Sequence, residues 1–519
     1  MENLIATLTK TDLEKVEKLP KSLRLLLEDW FERNQYNIML MTDSYKASHS
    51  LMYPPNTEKV YSYLEARGGK IEQSVFFGLQ YYLKKYLTGV RVTAEKINEA
   101  QNFWDEHVGP GVFDRQGWEY ILNVCGGKLP IKIKAVPEGS VIPIKNVLMT
   151  IENTHPRAYF LTNFVETLIM KIWASITIAS NSHQIKKLLK KFAKETSDEQ
   201  NVDFGCHDFG YRGVSSEESA EILSASHMLS FMGTDTIAGI KLLRKYYNTT
   251  SMPAYSIRAT EHSVMCLYGI DGEESAFKNI LQKHPDGKLA IVSDTYNIYN
   301  ACDYIVGQKF KDLVLARTDT TVIRPDSGDP VLVMCGDPTA ELNSLEYKGV
   351  LRILAERFGT TINSKGYLVL NPKIRVIQGD GVDYALIEKM LERMKEIGFA
   401  SENIVFGSGG GLLQKHDRDT MKFALKATYG IVNGEGRMLQ KNPVTDNGKR
   451  SKKGLLKLVY KPIVGAHGVS NNSYYQTIEM NERTADFSDD ILETVFEDGK
   501  IVKEHTLEEI RERIAKELD

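Results

Sequence analysis

Paired cysteines, a charge imbalance and a long apolar run are all missing from this 519-residue chain, and each absence removes a class of protein. Its five cysteines, Cys125, Cys206, Cys266, Cys302 and Cys335, are odd in number and contain no CxxC pair. That argues against a disulfide framework and a structural zinc site, and the expectation is a reducing, cytoplasmic setting. With 65 basic and 68 acidic side chains the formal net charge is only −3, so nucleic acid is not the default partner. Affinity for phosphate must then come from local clusters. The greasiest stretch, Tyr159 to Ser180, is interrupted by Glu166 and Lys171 and is too short and too broken to span a bilayer. Its Leu161, Phe164, Val165, Leu168 and Ile172 recur at helical spacing and predict a core helix. The N-terminus has an acidic residue at position 2 and no apolar segment of the secretory kind. There is no internal repeat and no low-complexity tract.

What is present is a globular composition, 42% hydrophobic, long enough for two to four domains. Leu23, Leu26, Leu27 and Trp30 form one apolar stripe after Pro20, so residues 1–36 read as a helical extension. Strand signals follow at Asn37–Leu40, Val60–Leu64, Ile131–Val136 and Val147–Ile151. The alternation Ile131, Lys132, Ile133, Lys134 predicts a sheet with one wet face. From about residue 176 the pattern changes. Short apolar runs end repeatedly in Gly, Asp, Arg or His and lead into helix-like stretches: Val202–Arg212, Tyr255–His262, Leu289–Asp294, Val322–Gly328, Ile374–Asp380 and Ile404–Gly411. Polar residues gathered at successive strand ends suit the active site of a (β/α) barrel or a doubly wound sheet, and the barrel is the favoured reading. The predicted organisation is a barrel over 176–420 and a sheet domain from 37–175 plus 421–519. Asp498-Gly499 predicts a hairpin, and Thr506 with Glu509 predicts a capping-box helix to Leu518.

Several strand ends carry candidate chemistry. Phe406 to Leu413 places four glycines and Ser408 between a strand and a helix-like run, where backbone NH groups can meet a phosphate; the alternative is a flexible turn. Asp326 in IRPDSG and Asp380 in QGDG suit ribose hydroxyls or magnesium held through water, or are Asx-turn residues. In His207-Asp208-Phe209-Gly210-Tyr211-Arg212-Gly213 an aromatic face can stack a flat ring and Arg212 can clamp an anion, although a lone Arg is more often a salt-bridge partner. His262 after Glu261 reads equally as a core or a functional histidine. The run Lys449-Arg450-Ser451-Lys452-Lys453 is a solvated loop, a nuclear-localisation or nucleic-acid mimic, or a phosphate-gathering mouth.

Together with Met41-Thr42-Asp43-Ser44-Tyr45-Lys46, Tyr53-Pro54-Pro55-Asn56-Thr57, GTDT at 233–236, EHS at 261–263, RVIQGDGVD at 375–383 and KRSKKG at 449–454, these segments resemble the nicotinamide phosphoribosyltransferase family from about Tyr36 to the C-terminal helix. The resemblance implies an α/β barrel joined to a sheet domain built from both chain ends, in a head-to-tail homodimer with shared active sites. It implies transfer of phosphoribose from phosphoribosyl pyrophosphate to nicotinamide in NAD salvage, with Mg2+ as cofactor and ATP as activating co-substrate through a phosphohistidine at His262. By the same carry-over Phe209 and the partner subunit's Tyr45 sandwich the pyridine ring and Asp235 accepts from the carboxamide. Arg212, His262 and Arg324 face pyrophosphate, and Asp326, Gly379 and Asp380 face ribose. Gly409 and Gly410 hold the 5′-phosphate, and Arg418, Arg67, Lys426, Lys441 and Lys449 add positive charge. The chain departs from the family at Ala290, where a serine is common, and at Arg258-Ala259-Thr260, where the family has Pro-Ala-Ala; both bear on the shape of the tunnel beyond the ring.

The pyridine nitrogen carries no proton, so no general base is required. What needs stabilising is a cationic ribose and a departing pyrophosphate. A carboxylate at Asp235 favours nicotinamide over nicotinate. The alternatives are a nicotinate phosphoribosyltransferase, separated by relative rates with the two bases, and a non-catalytic signalling or binding protein on the same fold, separated by a pyrophosphate-release assay.

Overall fold

A computed structural model describes residues 35–445, 450–465 and 468–518. All but the last two positions of the expected N-terminal extension, and Lys449 of the basic run, lie outside the described residues. The chain forms two compact units. One is the described part of Met1–Trp173 with Met421–His505, the other Ala174–Thr420 with Thr506–Asp519.

The first unit is built on a seven-stranded antiparallel sheet drawn from both ends of the chain. Its order is Glu435–Met438, Phe423–Val432, Thr57–Ala66, Met149–Asn153, Ile131–Ala135, Glu493–Glu497 and Lys500–Ile501. Ile131, Ile133 and Ala135 are buried while Lys132 and Lys134 are half-buried, as the alternation requires. The turn between the last two strands has Asp498 at φ 48° and Gly499 at φ 76°, the left-handed pair of a tight hairpin. Residues Ile38–Leu40 form a 3₁₀ turn and not a strand, because the Asn37 side chain accepts from Met39 N at 3.1 Å and closes the chain on itself. The stretch expected as one core helix is three segments, Leu161–Phe164, Glu166–Ile169 and Ile172–Thr196; its apolar residues are buried as expected, but the helix is interrupted at Val165 and its axis turns by 46° before Ile172. Among the described residues no single helix is long and apolar enough to cross a membrane.

The second unit holds a seven-stranded sheet in which every neighbouring pair is parallel. Its order is Gly233–Thr234, Cys206–Asp208, Ile404–Ser408, Ile374–Gln378, Thr321–Arg324, Leu289–Val292 and Arg258–Ala259. Six of the seven are the predicted runs; the two-residue Gly233–Thr234 strand gave no periodic signal. Alternation sorts the side chains. Ile291, Ile323, Val376 and Phe406 join a large buried cluster with helix residues such as Ile305, Leu351, Ile387 and Met390, while Ala290, Val322 and Ile377 turn to the other face with Phe209, Ile257 and Val405. The sheet is therefore buried on both faces. The C-terminal helix, Leu507–Ala515, is capped by the Thr506–Glu509 box as predicted, but it packs with this unit and not with the antiparallel sheet. The Arg511 guanidinium fixes it by donating to the carbonyls of Met228, at 2.6 Å, and Pro253, at 2.7 Å.

Two imidazoles of this unit are held neutral. His183, with no hydrogen-bond partner on either ring nitrogen among the described residues, is pushed down to about 4 by burial and by Lys187 and Lys186. Burial, with His227 beside it, pushes His207 down to about 4 as well. The unfolded chain protonates such rings near 6.5 and the folded chain near 4, so the unfolded state binds more protons in between. Stability should thus be complete above that window and fall as pH drops through it, by at most about 1.4 kcal/mol per pH unit for each ring. Urea midpoints measured down the pH scale check this. His183→Leu should flatten the slope, and an unchanged slope would assign the acid sensitivity elsewhere.

Candidate active site

At the carboxyl ends of the parallel strands lies a cavity of about 640 Å3 lined by Phe209, Tyr211, Arg212, Gly213, Asp235, Glu261, His262, Ser263, Arg324, Asp326, Gly379, Asp380, Gly409 and Gly410. Its walls are assembled by register. Arg324 pairs with Val292 and Gln378 with Phe406, so the residues just beyond each strand emerge side by side.

Asp294, two residues past its strand, is 3% exposed and is shared between neighbours: it accepts from Asp326 N at 3.0 Å and lies 3.1 Å from His262 Nε2. His262 is half exposed, and its other nitrogen, Nδ1, is 3.9 Å from Asp326 Oδ2. Asp326 Oδ1 in turn accepts from the Arg324 guanidinium at 2.9 Å. That guanidinium also lies 5.6 Å from the centroid of the Phe209 ring, and its buried Nε has no partner among the described residues. Arg324 is thus oriented by a carboxylate and a ring face, with a donor left over for an anion.

Missing side chains let these groups approach. A Cβ on Gly379 would lie 3.0 Å from Arg324 Nε, and one on Gly407 would lie 2.0 Å from a ring carbon of Phe209. A Cβ on Gly213 would lie 3.2 Å from Gly410 N, so the Phe209–Gly213 turn and the Gly409–Gly411 turn meet backbone to backbone. The space beside Gly410 is open. Asp235, also in the lining, is exposed, and Ser256 Oγ donates to its Oδ1, leaving Oδ2 for a further donor. The cavity thus gathers an aromatic face, an acceptor, cations, glycine backbone and carboxylates in one place.

Of the expected site residues, Phe209, Arg212, Asp235, His262, Arg324, Asp326, Gly379, Asp380, Gly409 and Gly410 line this one cavity. Arg418 is in the same unit but outside the lining, exposed and 3.3 Å from Asp419. Arg67, Lys426 and Lys441 belong to the first unit, as does Tyr45, 63% exposed on the 3₁₀ helix Ser44–Leu51. Lys426 feels Arg67, Lys441 and Lys46 as like charges that, after burial, lower its pKa. Asp294 was not singled out from sequence, because a Ser-Asp pair after a strand reads as an ordinary turn. Its signal is two carboxylates, Asp294 and Asp326, each two residues beyond one of a pair of adjacent strands. Of the two departures, Ala290 is buried beneath the ring in the cluster with Val322 and Ile377, while Arg258 is exposed and pairs with Asp286 at 2.9 Å.

Residues 204–500 match the model of the nicotinate phosphoribosyltransferase (NAPRTase) family, and residues 37–133 that of the nicotinamide phosphoribosyltransferase N-terminal domain. The chain belongs to the nicotinate phosphoribosyltransferase family. Within reach of that family, a Xanthomonas campestris protein named nicotinamide phosphoribosyltransferase is 42% identical over 481 residues, covering 92% of this chain and 97% of its own. One of the same name from Acinetobacter baylyi is 35% identical over 502 residues, with the same shares covered. The crystal structure of a nicotinate-nucleotide pyrophosphorylase from Pyrococcus furiosus superposes with a TM-score of 0.55 at 15% identity, covering 93% of this chain and 95% of that one, which establishes likeness of fold.

The contact between Gly407 and Phe209 makes a direct prediction. Gly407→Ala should displace the ring and destabilise the protein by about 1–3 kcal/mol, the usual cost of overpacking. Adding Phe209→Leu should recover part of that loss, a non-additivity read from urea midpoints of the single and double variants. Additive losses would mean that the ring does not set the constraint.

Proposed function

We propose that the protein transfers the phosphoribosyl group of phosphoribosyl pyrophosphate to nicotinamide, yielding nicotinamide mononucleotide and pyrophosphate in NAD salvage. The observation that carries this reading is one cavity that brings together Phe209, Asp235, Arg212, Arg324, Asp326, Asp380 and the Gly409–Gly410 backbone. The likeness to relatives named for the same reaction supports it. The pyridine ring stacks on Phe209, with its carboxamide NH2 on the free oxygen of Asp235. Its nitrogen lone pair attacks the anomeric carbon as the bond from that carbon to the pyrophosphate oxygen breaks, and the pyrophosphate leaves with the electron pair. Arg212 and Arg324 stabilise the departing anion, while Asp326 and Asp380 stabilise the cationic ribose.

Among the described residues no group of three or more His, Cys, Asp or Glu side chains is arranged to hold a metal. The donors fit a magnesium ion that arrives with pyrophosphate and keeps most of its water, because such sites need only one or two carboxylates. Asp326, with Asp380 beside it, would hold it through water, and it would neutralise phosphate charge.

ATP coupling is assigned to His262: with Nε2 against Asp294, Nδ1 is the nitrogen left for phosphorylation. Exposed Tyr45 suits a ring that covers the pocket of a partner subunit in a head-to-tail homodimer, and Arg67, Lys426 and Lys441 suit the phosphates of the same shared site. Closure of the parallel sheet into a barrel is supported by the bridge from edge residue Gly233 to Tyr255, three residues before the opposite edge strand. The nicotinate alternative is disfavoured because Asp235 repels a carboxylate. A purely binding role does not require the whole set of cations, carboxylates and His262.

Pyrophosphate release with nicotinamide tests the reading. The wild-type protein should prefer nicotinamide to nicotinate, and Asp235→Asn should narrow the ratio of kcat/KM values by roughly tenfold or more, about 1.4 kcal/mol per factor of ten. An unchanged ratio would remove Asp235 from the specificity determinant. His262→Ala should abolish stimulation by ATP while leaving basal transfer measurable. A His262→Ala protein that still forms an acid-labile phosphoenzyme would place the phosphoryl group on another residue.

A further inference from the structure

Inside the first unit one carboxylate collects an unusual number of donors. Glu65 lies on the Thr57–Ala66 strand with its side chain only 5% exposed. Its Oε1 accepts from Arg67 Nε at 2.9 Å and from the Tyr63 hydroxyl at 2.8 Å, and its Oε2 accepts from Lys452 Nζ. Lys452 is tied down twice more, its Nζ donating to Lys145 O at 2.7 Å and its backbone N to the Tyr63 hydroxyl at 3.2 Å. The residue before it, Ser451, exchanges hydrogen bonds with Lys441: Ser451 N donates to Lys441 O, and Lys441 N donates to Ser451 Oγ, both at 2.9 Å. Tyr63 faces Lys426 in the strand register. Arg67 and Lys452 are therefore held directly by one buried carboxylate, while Lys441 and Lys426 are its neighbours only by way of Ser451 and Tyr63.

One donor of this cluster is left over. Arg67 Nη2 is buried and has no partner among the described residues, although its Nε is anchored. A guanidinium with one edge fixed and another left over is preorganised for a bidentate oxyanion. Lys426 is lowered by burial and then by Arg67, Lys441 and Lys46, so these cations share one local field, opposed there by Glu166. Surplus positive charge of this kind is repelled internally until an anion arrives.

We propose that Glu65 is a positioning residue for phosphate recognition: it anchors Arg67 and Lys452 so that Arg67, Lys426 and Lys441 present a preformed oxyanion site. The inference rests on the phosphoribosyl-transfer reading above. Its ligand is the phosphate or pyrophosphate portion of the phosphorylated substrate and not the pyridine base.

Glu65→Gln keeps an acceptor for Arg67 but sets an amide NH2 against the ammonium of Lys452. It should raise KM for phosphoribosyl pyrophosphate roughly tenfold, the scale of one misplaced charge-assisted contact, and leave KM for nicotinamide within about twofold. Calorimetric titration with inorganic pyrophosphate should show the same loss of affinity without turnover. In an Arg67→Ala background, Glu65→Gln should add much less, because the main group it positions is gone. Equal changes in both KM values, additive effects, or a lowered melting temperature with unchanged pyrophosphate binding would overturn the proposal. If Glu65→Gln does not fold, Tyr63→Phe decides: loss of the hydroxyl that joins Glu65 to Lys452 N should shift pyrophosphate affinity in the same direction, and no shift would overturn it. Wild-type protein that binds pyrophosphate but releases none in the transferase assay would sink the functional reading and leave the Glu65 anchor standing.

Discussion

The carboxylate of Asp294 is nearly sealed from water yet serves two strand ends, and the arrangement of the cavity depends on that sharing. A buried carboxylate is costly unless its lone pairs are used. Here one oxygen takes the backbone N–H of Asp326 and the other lies against His262 Nε2. The first contact fixes where the Arg324–Asp326 loop leaves its strand; the second fixes which nitrogen of His262 faces the cavity. Through Asp326 the constraint passes to Arg324, and from Arg324 to Phe209, whose ring it covers at 5.6 Å. Neutral replacement of Asp294 would therefore disturb His262 and Asp326 directly, and through Asp326 the arginine and the ring.

Such a chain of contacts closes only because several positions have no side chain. Gly379 leaves room for Arg324, Gly407 for Phe209, and Gly213 for the backbone at Gly410. Glycine here answers two demands at once, open NH groups for an oxyanion and close approach between loops. This separates the Phe406–Leu413 turn from a flexible linker: its glycines are packed against named atoms, with Gly410 alone facing open space.

Much of this was legible in the sequence, for a definable reason. A parallel strand buried on both faces must be a largely apolar run, and its functional end must break that run with polar residues, so Leu289–Val292, Thr321–Arg324, Ile374–Gln378 and Ile404–Ser408 announce themselves. Gly233–Thr234 does not, being two residues long. Hydrophobic periodicity reports which side of a segment is buried and not whether its axis is continuous, which is why the buried residues between Tyr159 and Ser180 were found and the breaks were not. The C-terminal helix was legible as a helix through Thr506 and Glu509, but an apolar stripe of Leu507, Ile510 and Ile514 fits any apolar surface. Its address is written in Arg511, whose guanidinium finds two carbonyls, and such a contact leaves no pattern in the chain. Asp294 and Glu65 were illegible for a related reason: a lone acid among 68 acquires meaning only from donors brought to it by folding.

Asp294 and Glu65 also share a way of working that the net charge conceals. With basic and acidic residues almost balanced, the chain has no general field to attract a phosphorylated substrate, and an exposed lysine paired with an exposed acid contributes little. The structure instead places a buried acid behind the group that must act, so that the acid orients it without competing for the ligand from the front. Asp294 does this for His262, and Glu65 for Arg67 and Lys452. Each such acid acts where solvent screens it little, and so holds the donors it orients in place. An anion then meets groups already ordered, and the entropy of arranging long cationic side chains is not charged against its binding.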